Sequence, residues 1–144
     1  MARTTYEVVK EFYDHAVKGE IDQMIPLLAD DFTMYEADSI PIYGGTQYGP
    51  QGFAKLAGLL GEAWSIFEVR DMQVLDAGEY AIAYFRPRAV GRETGIEVDT
   101  YLAEFCRVRD GKIYELRAFY FDGGAVNAAL TPTVTPARAS ASGG

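Results

Sequence analysis

Histidine and cysteine, the side chains most often used as zinc ligands and nucleophiles, occur once each in this sequence, as His15 and Cys106. One of each cannot build a zinc site of the usual His/Cys kind. A serine triad would need His15 as its base, and no nucleophile-elbow sequence accompanies it. Gly44-Gly45 precedes no Lys-Ser/Thr pair, so no phosphate-binding loop is present. What remains is the chemistry of carboxylates, tyrosines and arginines: proton transfer and hydrogen bonding, with no metal and no cofactor expected.

Among the carboxylates, Glu104 is the one whose surroundings follow from the sequence. The segments around Asp110-Gly111 read as a hairpin. A two-residue turn pairs Arg109 with Lys112; a three-residue turn with Gly111 in a left-handed bulge pairs Val108 with Lys112, and Asp followed by Gly favours the second. That register gathers Thr100, Leu102, Glu104 and Cys106 on one face beside Tyr114, Leu116, Ala118 and Tyr120. Glu104 is the only acid on this mostly apolar face. It is either a neutral carboxylic acid with a raised pKa or the partner of Arg86 or Arg88 on the neighbouring strand. The opposite face carries Asp99, Tyr101, Ala103, Phe105 and Arg107 beside Ile113, Glu115, Arg117, Phe119 and Phe121. Its mixture of charge and aromatic rings suits contact with a second copy, so a homodimer is expected.

The elements that position these residues are legible from periodicity. Thr4 and Glu7 form a capping box ahead of Val9, Phe12, Tyr13, Ala16 and Val17 at helical spacing, with Gly19 as the stop. A second helix is expected from Asp22 to Ala29, with Pro26 tolerated in its first turn. Phe32 to Glu36 reads as a strand and Asp38 to Gly49 as an irregular excursion. Pro50 opens a third helix whose apolar stripe is Phe53, Leu56, Ala57, Leu60 and Trp64. Beyond Trp64 the period becomes two, giving strands at Phe67–Leu75, Tyr80–Ala89, Ile96–Arg109 and Ile113–Phe121. Three helices followed by long antiparallel strands make an α+β meander. From Thr131 the chain is Thr, Pro, Ala, Ser and Gly, and residues 131–144 read as a disordered tail after a single domain at 1–130.

Composition narrows the function classes. In 144 residues the net charge is −8 and Lys and Arg form no cluster, which argues against nucleic acid or an anionic membrane as partner. No apolar run is long enough to span a bilayer, and the N-terminus lacks a signal-peptide pattern, so a cytoplasmic protein is expected. Aromatic residues at 13% exceed the needs of a core, so some should line a cavity or an interface. Phe53, Trp64, Leu102, Leu116 and Tyr120 are the candidate walls.

Several motifs in order resemble a known family. Val8 to Phe12, Gly19 to Asp22 and Leu28 to Glu36 look like the opening of ketosteroid isomerases. Tyr43 to Pro50, Val74 to Gly78, and Arg109 through Asp122 look like the SnoaL-like group. Both belong to the nuclear-transport-factor-2-like superfamily, and the resemblance covers about Thr5 to Leu130. It implies three N-terminal helices on the concave face of a strongly curved antiparallel sheet, a cone-shaped α+β barrel, usually dimeric. Carried over by position, Glu36 stands at the isomerase general base and Glu104 at its protonated oxyanion-hole acid. (The enzyme is a worked case of a carboxylic acid kept neutral.) Phe12 stands where the isomerases keep a tyrosine; Tyr13, also placed at the pocket, lies about 100° further around the helix. Asp122 is either an acid/base in the manner of the cyclases or a cap for Gly123 to Leu130. The resemblance implies a cofactor-free isomerase, cyclase or dehydratase acting on a carbonyl compound such as a polyketide or terpenoid. A non-catalytic binding or assembly domain is the alternative. A limonene-type epoxide hydrolase ranks below both, because Asp99 falls on the wrong face for an Asp-Arg-Asp cluster.

Overall fold

The computed structural model describes residues 3–133. Helix α1 (Thr5–Val17) starts at the expected capping box: the Thr4 hydroxyl accepts from Glu7 N, and the Glu7 carboxylate accepts from Thr4 N. The second helix is shorter than its apolar spacing predicts. α2 covers only Ile21–Met24, and Ile25–Leu27 form a 3-10 turn containing Pro26, whose missing N–H ends the α ladder. Leu28 therefore already begins strand β1 (Leu28–Glu36). The excursion that follows buries Ile40 and Tyr43 and returns as a short strand β2 (Gly45–Tyr48). Helix α3 (Gly49–Ala63) has Pro50 in its first turn, as expected, but stops one residue before Trp64.

Three of the four long strands expected after Trp64 break in two. The pieces are β3 (Trp64–Glu68) and β4 (Gln73–Ala77), β5 (Tyr80–Phe85) and β6 (Arg88–Gly91), and β7 (Glu97–Asp99) and β8 (Leu102–Arg109). Only β9 (Lys112–Tyr120) remains whole. At each break the chain changes sheets. The larger sheet runs β2-β1-β9-β8-β5-β4 and the smaller β3-β6-β7. Pro87, which cannot donate to a ladder, marks one corner, and Asp71 in the left-handed region (φ 57°) marks another. One carboxylate braces all three corners. Asp99 accepts from Arg70 and from Arg86, each at 2.7 Å, so the ends of β3–β4, β5–β6 and β7–β8 are tied at a single point. The α+β class and the curved sheet agree with expectation. The sheet is open and mixed, because β1 and β9 run parallel.

The last hairpin makes the two-residue turn, contrary to the register preferred from the sequence. Arg109 pairs with Lys112, and Asp110 (φ 53°) and Gly111 (φ 74°) both occupy the left-handed region of a type I′ turn. A bulge at Tyr114 then restores the parity. Arg107 faces Glu115, and Glu104, Cys106, Leu116, Ala118 and Tyr120 share one face as expected. Two neighbours of the turn change sides: Ile113, placed outward by the sequence reading, is fully buried, and Tyr114 lies under Arg107 and Arg109.

Gly123–Leu130, expected only as a segment for Asp122 to cap, is a helix, α4. Of the expected tail, Thr131 to Thr133 are neither helix nor strand, and residues 134–144 lie outside the described residues. Among the described residues no helix is long and apolar enough to cross a membrane.

Candidate active site

Strand register brings Glu36 and Glu104 together. Tyr35 lies opposite Arg117 across β1 and β9, which puts Glu36 opposite Ala118, and Ala118 lies opposite Glu104 across β9 and β8. The acids thus stand in one row on the same face, two strands and roughly 10 Å apart at Cα. Only the Ala118 methyl lies between them. Beyond Glu104 the row continues through Ala83, also small and buried, to Val74 on β4.

This face forms the floor of a cavity of about 290 Å³. Helices α1 and α3 cover it, and the bend between β3 and β4 contributes Phe67, Val69 and Met72 to its rim. All seven residues expected to contact a ligand line it: Phe12, Tyr13, Phe53, Trp64, Leu102, Leu116 and Tyr120. Trp64 does so from the first position of β3, not from the α3 stripe where its spacing had placed it. Met24, Met34 and Phe85 also line the cavity and were missed. Their places depend on how the chain bends, which local periodicity does not carry.

Both acids are nearly sealed from solvent, Glu36 at 7% and Glu104 at 8% exposure, and neither has a cationic partner among the described residues. Arg86 and Arg88, the alternative partners for Glu104, pair instead with Asp99 and Glu97 at the surface. The partner of Glu104 is Tyr13, whose hydroxyl donates to Oε1 in a close hydrogen bond and also lies 3.6 Å from Cys106 Sγ. Tyr13, placed at the pocket although it lies one step around α1 from Phe12, packs edge-on against Phe12, and its ring reaches across to β8. Glu36 has its own tyrosine: the Tyr120 hydroxyl donates to Oε1 at 3.0 Å. Tyr43, buried in the excursion before β2, donates in turn to Tyr120 at 3.3 Å. No periodic signal marked Tyr43. The Trp64 indole N–H, close enough to oppose the rise in the Tyr43 pKa, makes no hydrogen bond.

These surroundings fix the electrostatics. Burial lifts Glu104 to about 7, with the Tyr13 hydrogen bond opposing the rise. Burial lifts Glu36 to about 8; the Glu104 charge adds to the rise, and the Tyr120 hydrogen bond opposes it. The like-charge effect falls on Glu36 because Glu104 ionises first. Burial also raises the Tyr13, Tyr120 and Cys106 groups. Around neutral pH the pair therefore holds between one and two protons.

The third acid stands apart. Asp122 is exposed, does not line the cavity, and caps α4 by accepting from Ala125 N at 3.0 Å. Asp99 likewise lies outside the cavity lining, with two arginines and no second acid among its partners. No group of three or more His, Cys, Asp or Glu side chains suited to a metal ion occurs among the described residues.

A mixed α+β cone with a helix-covered, acid-bearing cavity defines a SnoaL-like, nuclear-transport-factor-2-like protein. Residues 9–116 match the SnoaL-like domain model, and the chain belongs to that family. It is similar to an NTF2-like protein from Burkholderia thailandensis, with a TM-score of 0.82, 26% identity, and 90% of this chain and 99% of that one covered. It resembles TerC, co-crystallised with polyporic acid, in fold: TM-score 0.76, 14% identity, 88% and 97% covered. A candidate polyketide cyclase from Xanthomonas campestris also shares the fold, with a TM-score of 0.71, 21% identity, and 88% and 96% covered. No curated protein matches the sequence.

The raised pKa values predict a slope of stability with pH. A buried carboxyl that holds its proton to about 7 or 8 binds more protons folded than unfolded. Stability is therefore highest below the unfolded value of about 4.3 and falls as pH rises through the folded values. Thermal melts should show Tm decreasing from pH 5 to pH 8. Glu104→Leu alone strands the Tyr13 hydroxyl, at about 1–3 kcal/mol. Tyr13→Phe combined with Glu104→Leu should flatten the slope and be more stable than the parent protein at pH 8. An unchanged slope in the double variant would mean that Glu104 is not a neutral acid.

Proposed function

We propose that the protein is a cofactor-free acid–base enzyme of the isomerase, cyclase or dehydratase type. Its substrate is a small, largely apolar carbonyl compound such as a polyketide or terpenoid. The observation that supports this most directly is the row Glu36–Ala118–Glu104: two carboxyls of raised pKa, aimed into one apolar cavity and unpaired with any cation. A substrate carbonyl beside Glu104 accepts a hydrogen bond from its protonated form, which favours that form and leaves the negative charge to Glu36. Glu36 then removes a proton from the carbon next to the carbonyl. The electron pair of the broken C–H bond moves into the enolate, whose oxygen Glu104 stabilises. Return of the proton to another carbon isomerises the substrate; attack of the enolate on a second carbonyl closes a ring. Tyr120, held by Tyr43, orients Glu36, and Tyr13 orients Glu104.

Exchange of substrate C–H protons with deuterated solvent tests this, using hydrophobic enones and polyketide-like phenols that raise the Tm. Glu36→Gln should bind the same compounds and exchange at least about 100-fold more slowly. Asp122→Asn, which can still cap α4, should exchange at the parent rate. Binding with no exchange in the parent protein would favour a ligand-binding domain instead.

We further propose that the outer sheet face joins two copies. Phe119 and Phe121 are 51% and 85% exposed there, beside Phe105 and Tyr101. Large apolar rings this open normally mark an interface. Light scattering at low micromolar concentration should give twice the 15.9 kDa chain mass, reverting to the single-chain value in Phe119→Glu. A monomeric parent protein would overturn the assignment.

A further inference from the structure

Among the described residues the cavity lining has acids and no Lys, Arg or His, while the arginines nearest the sheet corner are engaged by Asp99 and Glu97 outside it. Each buried carboxyl gives Oε1 to its tyrosine, and among the described residues neither Oε2 makes a hydrogen bond. Both carboxyl side chains line the cavity. The walls are aromatic, and aromatic faces attract cations. A net charge of −8 adds a field that favours positive ligands over negative ones.

We propose that the cavity is a binding site for hydrophobic amines. The ammonium group would sit over the Ala118 methyl, between the free Oε2 atoms of Glu36 and Glu104. The hydrocarbon part would lie against Phe12, Phe53 and Trp64. Removing an ammonium from water is costly unless it is closely paired and its N–H donors are satisfied. The row of carboxylate, methyl, carboxylate supplies two acceptors on opposite sides of a gap kept open by the smallest side chain that has a Cβ. A neutral ligand of the same shape gains hydrogen bonds only, and a carboxylate is repelled by both acids. An amine without a carbonyl has no acidic C–H for Glu36 to take, so it occupies the site without turnover. The proposal thus stands whether or not proton exchange is found.

Binding an ammonium requires ionised acid, so it is linked to pH. The titratable groups facing the two acids are Tyr13 and Cys106 at Glu104, and Tyr120 and Tyr43 at Glu36. All four are neutral near pH 7, and among the described residues no cation lines the cavity. Affinity should rise with pH through about 7 to about 8, where the acids ionise. It should fall again when the amine loses its own proton above about 10, the range of a Lys amine.

Calorimetric titration of the full chain at pH 8 tests the proposal with 2-naphthylethylamine, 2-naphthylethanol and 2-naphthylacetate, and with the matching phenyl series. At least one amine should bind about tenfold or more tightly than its alcohol, with no detectable binding of its carboxylate. Lowering the pH to 6 should weaken the amine at least tenfold and leave the alcohol unchanged. Titration in buffers of different ionisation enthalpy at pH 7 should show a net release of protons on amine binding. Ala118→Leu should remove the preference for amine, and Glu36→Gln with Glu104→Gln should abolish it while retaining the alcohol. Amines that bind no better than their alcohols, that bind in neither series, or that release no proton would overturn the proposal.

Discussion

Two carboxyl groups under a hydrocarbon roof, with no cation beside either among the described residues, are the constraint on which the rest of this structure turns. An ionised carboxylate in such surroundings is costly to bury, and a protein normally resolves the cost with an arginine. Here the arginines sit at the surface, and the acids are held by tyrosines: Tyr13 for Glu104, and Tyr120 backed by Tyr43 for Glu36. A phenol stabilises a carboxylate less than a guanidinium does, and it can hydrogen-bond to the protonated form as well. The pair therefore remains able to take up and give up a proton close to neutrality.

The cavity that needs these groups is made by the sheet. Three successive strand runs bend and change sheets, at Val69–Met72, at Arg86-Pro87 and at Thr100-Tyr101, and the resulting concavity faces α1 and α3. Asp99 holds the bends together through Arg70 and Arg86. Each of those contacts is at the surface and individually weak. Because all three corners share one carboxylate, they act on the shape of the cavity rather than on overall stability. Gly91 closes the far side: a Cβ there would fall 2.2 Å from the Ala129 carbonyl, so α4 can lie directly on β6 only because this residue has no side chain.

The family, the three helices and the facing of Glu104 were legible in the sequence because each rests on local signals: a capping box, a helical stripe and a period of two. Glu104 was placed correctly by two departures that cancel. The turn is one residue tighter than the Asp-Gly step suggested, and a bulge at Tyr114 restores the parity; only Ile113 and Tyr114, which lie between turn and bulge, were misplaced. The strand breaks were not legible, since both halves of each run alternate in the same way and the change of sheet is decided by partners distant in sequence. Tyr13 was placed at the pocket, but its hydrogen bond to Glu104 was not foreseen, for a related reason. A helical wheel gives the direction of the Cα–Cβ bond, and a tyrosine is long enough to reach a strand that the wheel does not face. Tyr43 lies in an aperiodic segment, and only the tertiary fold brings it to Tyr120.

All of this depends on Glu36 and Glu104 retaining protons at pH values where ordinary glutamates have lost them. Carbon-13 NMR of the glutamate carboxyls, recorded from pH 3 to pH 10, measures that directly. Two resonances should titrate near 7 and near 8, one disappearing in Glu104→Gln and the other in Glu36→Gln, both well above the range of an ordinary glutamate. If every glutamate, including these two, titrates below about 5, the carboxyls are solvated or paired, and the acid-bearing cavity described here is not the one the protein forms in solution.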